Sequence, residues 1–316
     1  MRTASNEHRT AVVLMAYGTP RTKDEILPYY TDIRRGRPPT PELLEELTAR
    51  YEAIGGLSPL KQLTEAQRDA LQRELDALSP GTHEVFLGLK HATPFVEEAV
   101  AEVAGRGFRR IVGLVLAPHY SSYSIGQYIG RAREAAAPHG IEVTGIDSWA
   151  REDAFVDFLV DDMRARLAAM PERTKVLFTA HSLPQRIIDG GDPYPDELRA
   201  TAELVAERTG LSRWSQWSIA WQSAGRTPEP WIGPDILEVI DQLAAGRASD
   251  RDEDERVDGV LVCACGFVAD HLEVLYDLDL EAAAHARDRG LVFDRTACVN
   301  DDAAVMGALA RRVVAT

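Results

Sequence analysis

The chain has 316 residues, of which 45% are hydrophobic and 27% are charged. This length and composition are typical of a globular protein with a large buried core, and they exclude a disordered or fibrous chain. The formal net charge of −15 argues against a nucleic-acid partner, because phosphate binding needs a basic face.

The sequence also bears on the compartment in which the protein works. No apolar run approaches the roughly 20 residues that span a bilayer, and residues 1–10 are polar without an apolar signal region. The three cysteines are Cys263, Cys265 and Cys298, an odd number that argues against a secreted disulfide framework. We therefore predict a cytoplasmic protein without integral membrane association.

Short runs rich in Val, Ile and Leu alternate with longer segments of helical periodicity along the chain. This pattern is typical of parallel strands covered by crossover helices, and it predicts an α/β fold. The predicted strands are residues 11–15, 85–89, 111–116, 141–146, 176–179, 217–221 and 257–262. Amphipathic helices are predicted at residues 94–104, 154–169 and 195–209.

A weak internal repeat divides the chain near residue 150, which predicts halves at 1–150 and 151–316. The first strand runs into Ala16-Tyr17-Gly18-Thr19-Pro20, and the fifth runs into Ala180-His181-Ser182-Leu183-Pro184. Because parallel sheets bind ligands beyond the carboxyl ends of their strands, Tyr17 and His181 would face each other across a cleft. A chance match between such short motifs is the alternative.

A long helical insert, at about residues 22–78, precedes the second strand. Long excursions from a compact α/β unit are usually lids or binding elements, so we predict that it forms a wall of a ligand cleft. It carries Arg34, Arg35 and Arg37, which either form a solvated turn or bind an anionic ligand. Its tyrosines suit a flat ligand, although core packing explains aromatic residues as often.

His181 follows an apolar strand, which places an imidazole at the carboxyl end of a strand in an α/β protein. A lone histidine is more often structural than catalytic. Its position at the strand end makes a functional role equally plausible.

A long helix is predicted at residues 267–289, with Gly290 ending it. Glu273, Asp277 and Glu281 follow at a spacing of four, which places three carboxylates on one side, with Asp270 near them. Such a stripe is either exposed to water, which is the usual case, or offset by a bound cation or a basic partner. His271 is two residues from Glu273 and would point to the opposite side, so we predict that it lies outside the site.

Other common motifs are weak or missing. The chain has no phosphate-binding loop of the P-loop type and no G-x-G-x-x-G after the first strand, which disfavours nucleotide chemistry. Cys263 and Cys265 are separated by one residue rather than two, and Cys298 is distant, so we predict that the cysteines are structural.

Together, these motifs resemble those of the ferrochelatases, and within them the coproporphyrin ferrochelatases of Gram-positive type. The matching segments cover nearly the whole chain. They are Leu14-Met15-Ala16-Tyr17-Gly18-Thr19-Pro20, Tyr29-Tyr30-Thr31-Asp32-Ile33-Arg34-Arg35-Gly36-Arg37, Arg50-Tyr51-Glu52-Ala53-Ile54-Gly55-Gly56-Leu57-Ser58-Pro59-Leu60, Gly88-Leu89-Lys90-His91, Ala117-Pro118-His119, Ala180-His181-Ser182-Leu183-Pro184, Gly191-Asp192-Pro193-Tyr194-Pro195, Trp221-Gln222-Ser223 and residues 266–277.

The resemblance implies two Rossmann-like halves, each with a parallel four-stranded sheet, around a porphyrin cleft, with the last helix packing back on the first half. His181 and Glu273 would be the metal-site pair, and Asp277 and Glu281 an acidic path outward. Tyr17 would face the iron of bound product from the opposite side. The residues matching positions that hold the substrate's propionates are Arg34, Arg50, Tyr51, Ser58 and Tyr128.

The implied activity is the insertion of ferrous iron into coproporphyrin III, which gives Fe-coproporphyrin (coprohaem) in haem biosynthesis. Some related proteins carry a two-iron cluster held by four cysteines. This chain has three cysteines, so we predict no [2Fe-2S] cluster and no cofactor beyond substrate iron. The resemblance also implies a monomer that passes its product transiently to the next haem-pathway enzyme.

Three alternatives remain open at this point. The porphyrin substrate could be protoporphyrin IX, although the short termini and Tyr17 favour coproporphyrin. The chain could be a tetrapyrrole carrier without turnover, which would not need the acidic stripe. It could also insert cobalt or nickel into a related macrocycle, because sites of N and O ligands discriminate poorly between divalent metals.

Overall fold

The computed structural model describes residues 6–211, 216–225, 227–248 and 257–316. The chain forms two compact units. One contains the chain up to Trp149 together with Ala269–His271 and Asn300–Thr316, and the other contains Ala150–Val268 and Leu272–Val299. Among the described residues, every helix is too short or too polar to cross a bilayer.

The first unit is built on a four-stranded parallel sheet. Its strands are β1 (Thr10–Ala16), β2 (His83–Leu89), β3 (Arg110–Val115) and β4 (Glu142–Ile146), in the order β2-β1-β3-β4. The side chains of residues 11–16 in β1 are all buried, which explains why this strand reads as a continuous apolar run.

The described residues that precede residue 149 form five α-helices and three short 3-10 helices, the last of which is Ala137–His139. The α-helices are α1 (Ile26–Ile33), α2 (Pro41–Ala53), α3 (Leu60–Leu78), α4 (Val96–Gly105) and α5 (Ile125–Ala136). The first three occupy most of the predicted insert at 22–78. Helix α2 begins where Thr40 accepts a hydrogen bond from the backbone N–H of Leu43, with a proline as the first helical residue. Helices α4 and α5 pack on the sheet and close its hydrophobic core.

The second unit repeats the same sheet. Its strands are β5 (Thr174–His181), β6 (Trp217–Gln222), β7 (Gly259–Cys263) and β8 (Val292–Arg295), all parallel, in the order β6-β5-β7-β8. The predicted α/β class with two four-stranded parallel sheets is thus confirmed. The sequence missed β8, because this edge strand has no buried residue and therefore no apolar run.

The helices of the second unit connect these strands and cover the core of the unit. They are α6 (Asp153–Leu167), α7 (Gln185–Asp189), α8 (Tyr194–Thr209), α9 (Ile236–Ala248), α10 (Leu272–Leu275), a π-helical segment (Asp277–Ala282) and α11 (Ala283–Asp288). The chain then returns to the first unit as α12 (Ala303–Ala315), which packs against α3.

The predicted continuous helix at residues 267–289 is wrong. Residues 264–271 form turns, because the backbone N–H of Cys265 donates to the carbonyl of Cys263 and that of Phe267 donates to the carbonyl of Ala264. The helix starts at Leu272 and is interrupted by the π segment. Gly290, with a φ of +72°, follows its end as expected.

Candidate functional site

His181 and Glu273 form the centre of the candidate site in the second unit. Nδ1 of His181 lies 2.5 Å from the carbonyl oxygen of Ser182. Because a carbonyl only accepts, Nδ1 carries the proton of the neutral ring, and Nε2 keeps its lone pair. Nε2 lies 3.6 Å from Oε1 of Glu273, which is longer than a hydrogen bond, and each side chain is 36% exposed.

This pair has the separation expected of two ligands of one cation. Two neighbouring ligands with bonds of about 2.1 Å lie roughly 3.0 to 3.4 Å apart, so a small movement would let both contact one ion. Within the described ranges, no group of three or more His, Cys, Asp or Glu side chains is arranged to hold a metal. The pair therefore suits a cation that is held by two protein groups and keeps positions open for other ligands.

Several hydrogen bonds hold the end of β5 that carries His181. The buried Tyr194 hydroxyl donates to the carbonyl of His181 at 3.2 Å, and burial raises the pKa of this tyrosine. The backbone N–H of Ser182 donates to the carbonyl of Gln222, and its hydroxyl donates to the carbonyl of Ile232 at 2.7 Å. These bonds hold the backbone around His181 in place and so position its imidazole.

Gly266 lets the turn after β7 pass close to β5. Its backbone N–H donates to the carbonyl of Thr179 at 3.0 Å. A Cβ at this position would lie 2.4 Å from Cβ and 2.6 Å from Cα of Ala180, the residue before His181. Only glycine permits this approach, which sets the path of the chain towards Glu273.

The acidic residues of the predicted stripe occupy different environments. Asp277 is buried, and its Oδ2 lies 2.5 Å from the hydroxyl of Ser223, whereas Glu281 is exposed. The amide of Gln222 donates to the carbonyl of Glu273 at 3.1 Å. Asp270 lies before the helix begins and bonds to Asn300, so its predicted place on the stripe is wrong.

The π segment changes the geometry of this stripe. The backbone N–H of Glu281 donates to the carbonyl of Tyr276, five residues back. Four residues of α-helix advance about 40° beyond a full turn, whereas the wider π turn falls short of one. The two offsets oppose each other between Glu273 and Glu281 and keep both residues on one side of the helix.

His271 also lies before α10, and its Nδ1 is 2.9 Å from the carbonyl oxygen of Ala269. The prediction that His271 and Glu273 point to opposite sides of one helix therefore does not apply. That reason for excluding His271 was wrong, since the chain at residues 264–271 is not helical.

Tyr17 follows β1 in the first unit and is 42% exposed. Its ring meets the ring of His91 edge-on, with the centroids 4.6 Å apart. Nδ1 of His91 lies 2.7 Å from Oδ2 of Asp32; burial lowers the pKa of His91, and this contact opposes the shift. Sequence reasoning gave His91 and Asp32 no role, although His91 follows β2 much as Tyr17 follows β1.

The five residues predicted to hold propionates all belong to the first unit. The guanidinium of Arg34 lies over the Tyr30 ring at 5.8 Å, and its buried Nε has no hydrogen-bond partner among the described residues. Arg50 pairs with Glu46 at 3.5 Å. The remaining three are buried: Tyr51, Ser58 and Tyr128.

Lys90 is a cation of the first unit that sequence reasoning missed. Burial, reinforced by the charges of Arg131 and Arg35, lowers the pKa of Lys90 to about 8. Its Nζ donates to the side-chain oxygen of Gln127 at 2.9 Å and lies 5.1 Å from the centre of the Tyr128 ring. The motif containing Lys90 gave no sign of this environment, which depends on burial, on residues of α5 and on Arg35.

The three cysteines are buried free thiols. Burial and the neighbouring Cys263 raise the pKa of Cys265, which favours the thiol over the thiolate that binds metals. The absence of an iron–sulfur cluster stays a prediction.

Comparison with known proteins places this geometry in context. A family model described as Ferrochelatase matches residues 9–316. A coproporphyrin III ferrochelatase from Halalkalibacterium halodurans is 43% identical over 291 residues, which cover 91% of this chain and 90% of the relative. A ferrochelatase from Herpetosiphon aurantiacus is also 43% identical, over 95% of this chain and 97% of the relative.

Solved structures share the fold. The sirohydrochlorin chelatase SirB from Bacillus subtilis subspecies spizizenii, in complex with cobalt, matches with a TM-score of 0.54 and 12% identity. The match covers 97% of this chain and 94% of that chain. At this identity, the likeness shows the arrangement of strands and helices alone.

Proposed function

Because the chain belongs to the ferrochelatase family, we propose that it inserts ferrous iron into coproporphyrin III to give Fe-coproporphyrin in haem biosynthesis. The observation that carries this proposal is the pair formed by His181 and Glu273, with Nε2 and Oε1 3.6 Å apart. The name of the relative from H. halodurans supports the choice of coproporphyrin III as substrate.

The chemistry of metalation suits this pair. Ferrous iron must replace two pyrrole N–H protons, so the protein has to release a weakly held cation and accept protons. A neutral imidazole with a free Nε2 lone pair can do both beside a carboxylate. Two protein ligands hold the ion loosely and leave positions open for the porphyrin nitrogens, whereas a complete cage would retain it.

The outer acids have a role in this proposal as well. Asp277 and then Glu281 follow Glu273 along one side of the helix, and Glu281 is the exposed end of this series. Carboxylates attract a divalent cation without the tight binding of nitrogen or sulfur ligands. We assign them to the path by which iron approaches Glu273.

The first unit supplies the proposed porphyrin contacts. We assign Tyr17 to the contact with the iron of bound product, and its side chain is 42% exposed. Arg34 and Arg50 hold the propionates, since guanidinium groups bind carboxylates in a bidentate manner. We assign Tyr51, Ser58 and Tyr128 to the same propionate contacts. Because their side chains are buried, they need a local rearrangement to reach a ligand.

The test is anaerobic mixing of the purified protein with ferrous iron and coproporphyrin III, followed by absorption spectroscopy. The wild-type protein gives the coprohaem spectrum, and His181→Ala abolishes it. His139→Ala is the matched control, because His139 is exposed at the end of a short helix outside the site. If His181→Ala metalates at the wild-type rate, the role assigned to His181 is wrong.

A protoporphyrin IX ferrochelatase is the second candidate, because the relative from H. aurantiacus is named ferrochelatase without the coproporphyrin qualifier. Comparing the turnover of both porphyrins decides between them. Preference for protoporphyrin would overturn the substrate while keeping the reaction. The cytoplasmic location, the monomeric state and the transfer of product to the next enzyme stay predictions.

A further inference from the structure

Two aspartates of the π segment are tied to opposite edges of the sheet in the second unit. Asp277 accepts a hydrogen bond from Ser223, which follows β6. Asp279 is bound by Arg295, the last residue of β8. Since the strand order is β6-β5-β7-β8, β6 and β8 are the two edges, and His181 lies on β5 between them.

The contact between Arg295 and Asp279 is bidentate. Nε of Arg295 donates to Oδ1 of Asp279 at 2.5 Å, and one terminal nitrogen donates to Oδ2 at 2.9 Å. The other terminal nitrogen donates to the carbonyl of Thr296 at 3.0 Å, which holds the guanidinium in place. Only 14% of the Arg295 side chain is exposed, so solvent screens this pair less than a surface pair.

The backbone of Arg295 is held in the sheet. Arg295 pairs with Val262 of the fully buried strand β7, and the next backbone N–H, that of Thr296, donates to the carbonyl of Val262. Strand β7 also pairs with β5, which carries His181. Arg295 therefore holds Asp279 in a fixed position relative to the sheet that carries His181.

The contacts of Asp277 and Asp279 determine the register of the helix, which is the direction that each of its residues faces. Residues two positions apart point to opposite sides of a helix, so Asp277 and Asp279 reach opposite sheet edges at the same time. A return from the π turn to a regular α-helix would rotate one part of the helix by about 100° relative to the other. Such a rotation breaks one of the two ties and moves Glu281 away from the side that carries Glu273.

We propose that Arg295 is a positioning residue for iron binding: by holding Asp279, it keeps Asp277–Ala282 in the π register and the acidic side chains of the helix aligned with Glu273. This inference rests on the proposed function of the same site. Arg295 acts through Asp279 and does not touch the reacting atoms.

The test compares Arg295→Gln with Arg166→Gln. Arg166 binds Asp294, the neighbouring residue on β8, at 2.8 Å, and Asp162 on its own helix at 2.9 Å. Its replacement therefore removes an ion pair of the same strand while leaving the contact between Arg295 and Asp279 in place. Arg295→Gln is expected to raise the KM for ferrous iron about tenfold and to leave the KM for coproporphyrin III unchanged. Arg166→Gln should leave both KM values unchanged.

Two further variants keep the test decisive if Arg295→Gln does not fold. Asp279→Asn removes the other partner, whose side chain is more exposed, and should raise the KM for iron in the same way. The double variant Arg295→Asp with Asp279→Arg reverses the pair and should lower that KM towards the wild-type value. An unchanged KM for iron in Arg295→Gln or Asp279→Asn overturns the proposal.

A titration with Co²⁺ alone, followed by visible absorption, separates this inference from the proposed function. Weaker Co²⁺ binding in Arg295→Gln than in Arg166→Gln supports the positioning role even if the wild-type protein does not metalate coproporphyrin III. Equal Co²⁺ binding in the two variants overturns the positioning role even if the wild-type protein is an active ferrochelatase.

Discussion

Nε2 of His181 and Oε1 of Glu273 face each other at 3.6 Å, a distance that leaves no direct hydrogen bond between them. In the neutral ring both atoms are acceptors, because the proton lies on Nδ1 beside the Ser182 carbonyl. Two acceptors in this position attract a proton or a metal ion. The pair therefore suits the two tasks that the proposed metalation requires, the delivery of a cation and the removal of protons.

Loss of the charge on Glu273 should impair iron insertion. Glu273→Gln keeps the size of the side chain but weakens the attraction for ferrous iron, and we expect insertion to fall by about 10- to 100-fold. The rate is measured anaerobically from the coprohaem absorption. Glu229→Gln is the control, because Glu229 forms an ion pair with Arg186 outside the site. Equal rates for Glu273→Gln and the wild type would remove Glu273 from the mechanism.

The close approach at Gly266 predicts a clear stability effect. Gly266→Ala places a Cβ 2.6 Å from Cα of Ala180, so the backbone must shift, and we expect a loss of about 1 to 3 kcal/mol in the free energy of unfolding. Urea unfolding measures it. In contrast, Gly130→Ala in α5 meets no atom within 4 Å and should stabilise the protein by about 0.5 to 1 kcal/mol. A free energy of unfolding for Gly266→Ala equal to or above that of the wild type would contradict the packing argument.

His119 should make the protein less stable in acid. Burial lowers the pKa of His119 from 6.5 to about 3, so between these values the unfolded chain binds a proton that the folded chain does not. The free energy of unfolding therefore falls as the pH falls through this window, by at most about 1.4 kcal/mol per unit from this group, and has no such cost above it.

Urea unfolding at pH 7 and pH 5 checks this dependence. His119→Gln should show a smaller drop between the two values than the wild type, whatever its stability at pH 7. His139→Gln changes an exposed histidine and should keep the wild-type drop. The same drop in His119→Gln as in the wild type would assign the acid sensitivity to other groups.

Lys90 should make porphyrin binding depend on pH. Its pKa of about 8 means that the amine loses its positive charge as the pH rises from 7 to 9. If this charge attracts propionates, the affinity for coproporphyrin III falls over that range, and Lys90→Met binds more weakly at pH 7 but without the fall. Fluorescence quenching of the porphyrin measures the affinity. Lys61→Met, which removes a surface lysine paired with Glu65, should follow the wild type, and parallel profiles for all three proteins would exclude Lys90.

Patterns in the sequence predicted the α/β class, the strand end that carries His181, and seven of the eight strands that the described part of the chain forms. These features depend on local patterns, since a buried parallel strand is a continuous apolar run and its carboxyl end follows directly. Strand β8 escaped because an edge strand with partly exposed side chains lacks that pattern. The ordered motifs along nearly the whole chain, rather than any single one of them, indicated the family.

The arrangement of the acidic residues depends on tertiary contacts. Local spacing predicts one α-helix from residue 267, but hydrogen bonds to Asn300, Ser223 and Arg295 determine which acids lie on it and in which register. The same holds for the lowered pKa of Lys90, which comes from burial and from charges on other elements. Contacts between residues distant along the chain set hydration, charge and helix register, and a pattern of neighbouring residues carries no record of them.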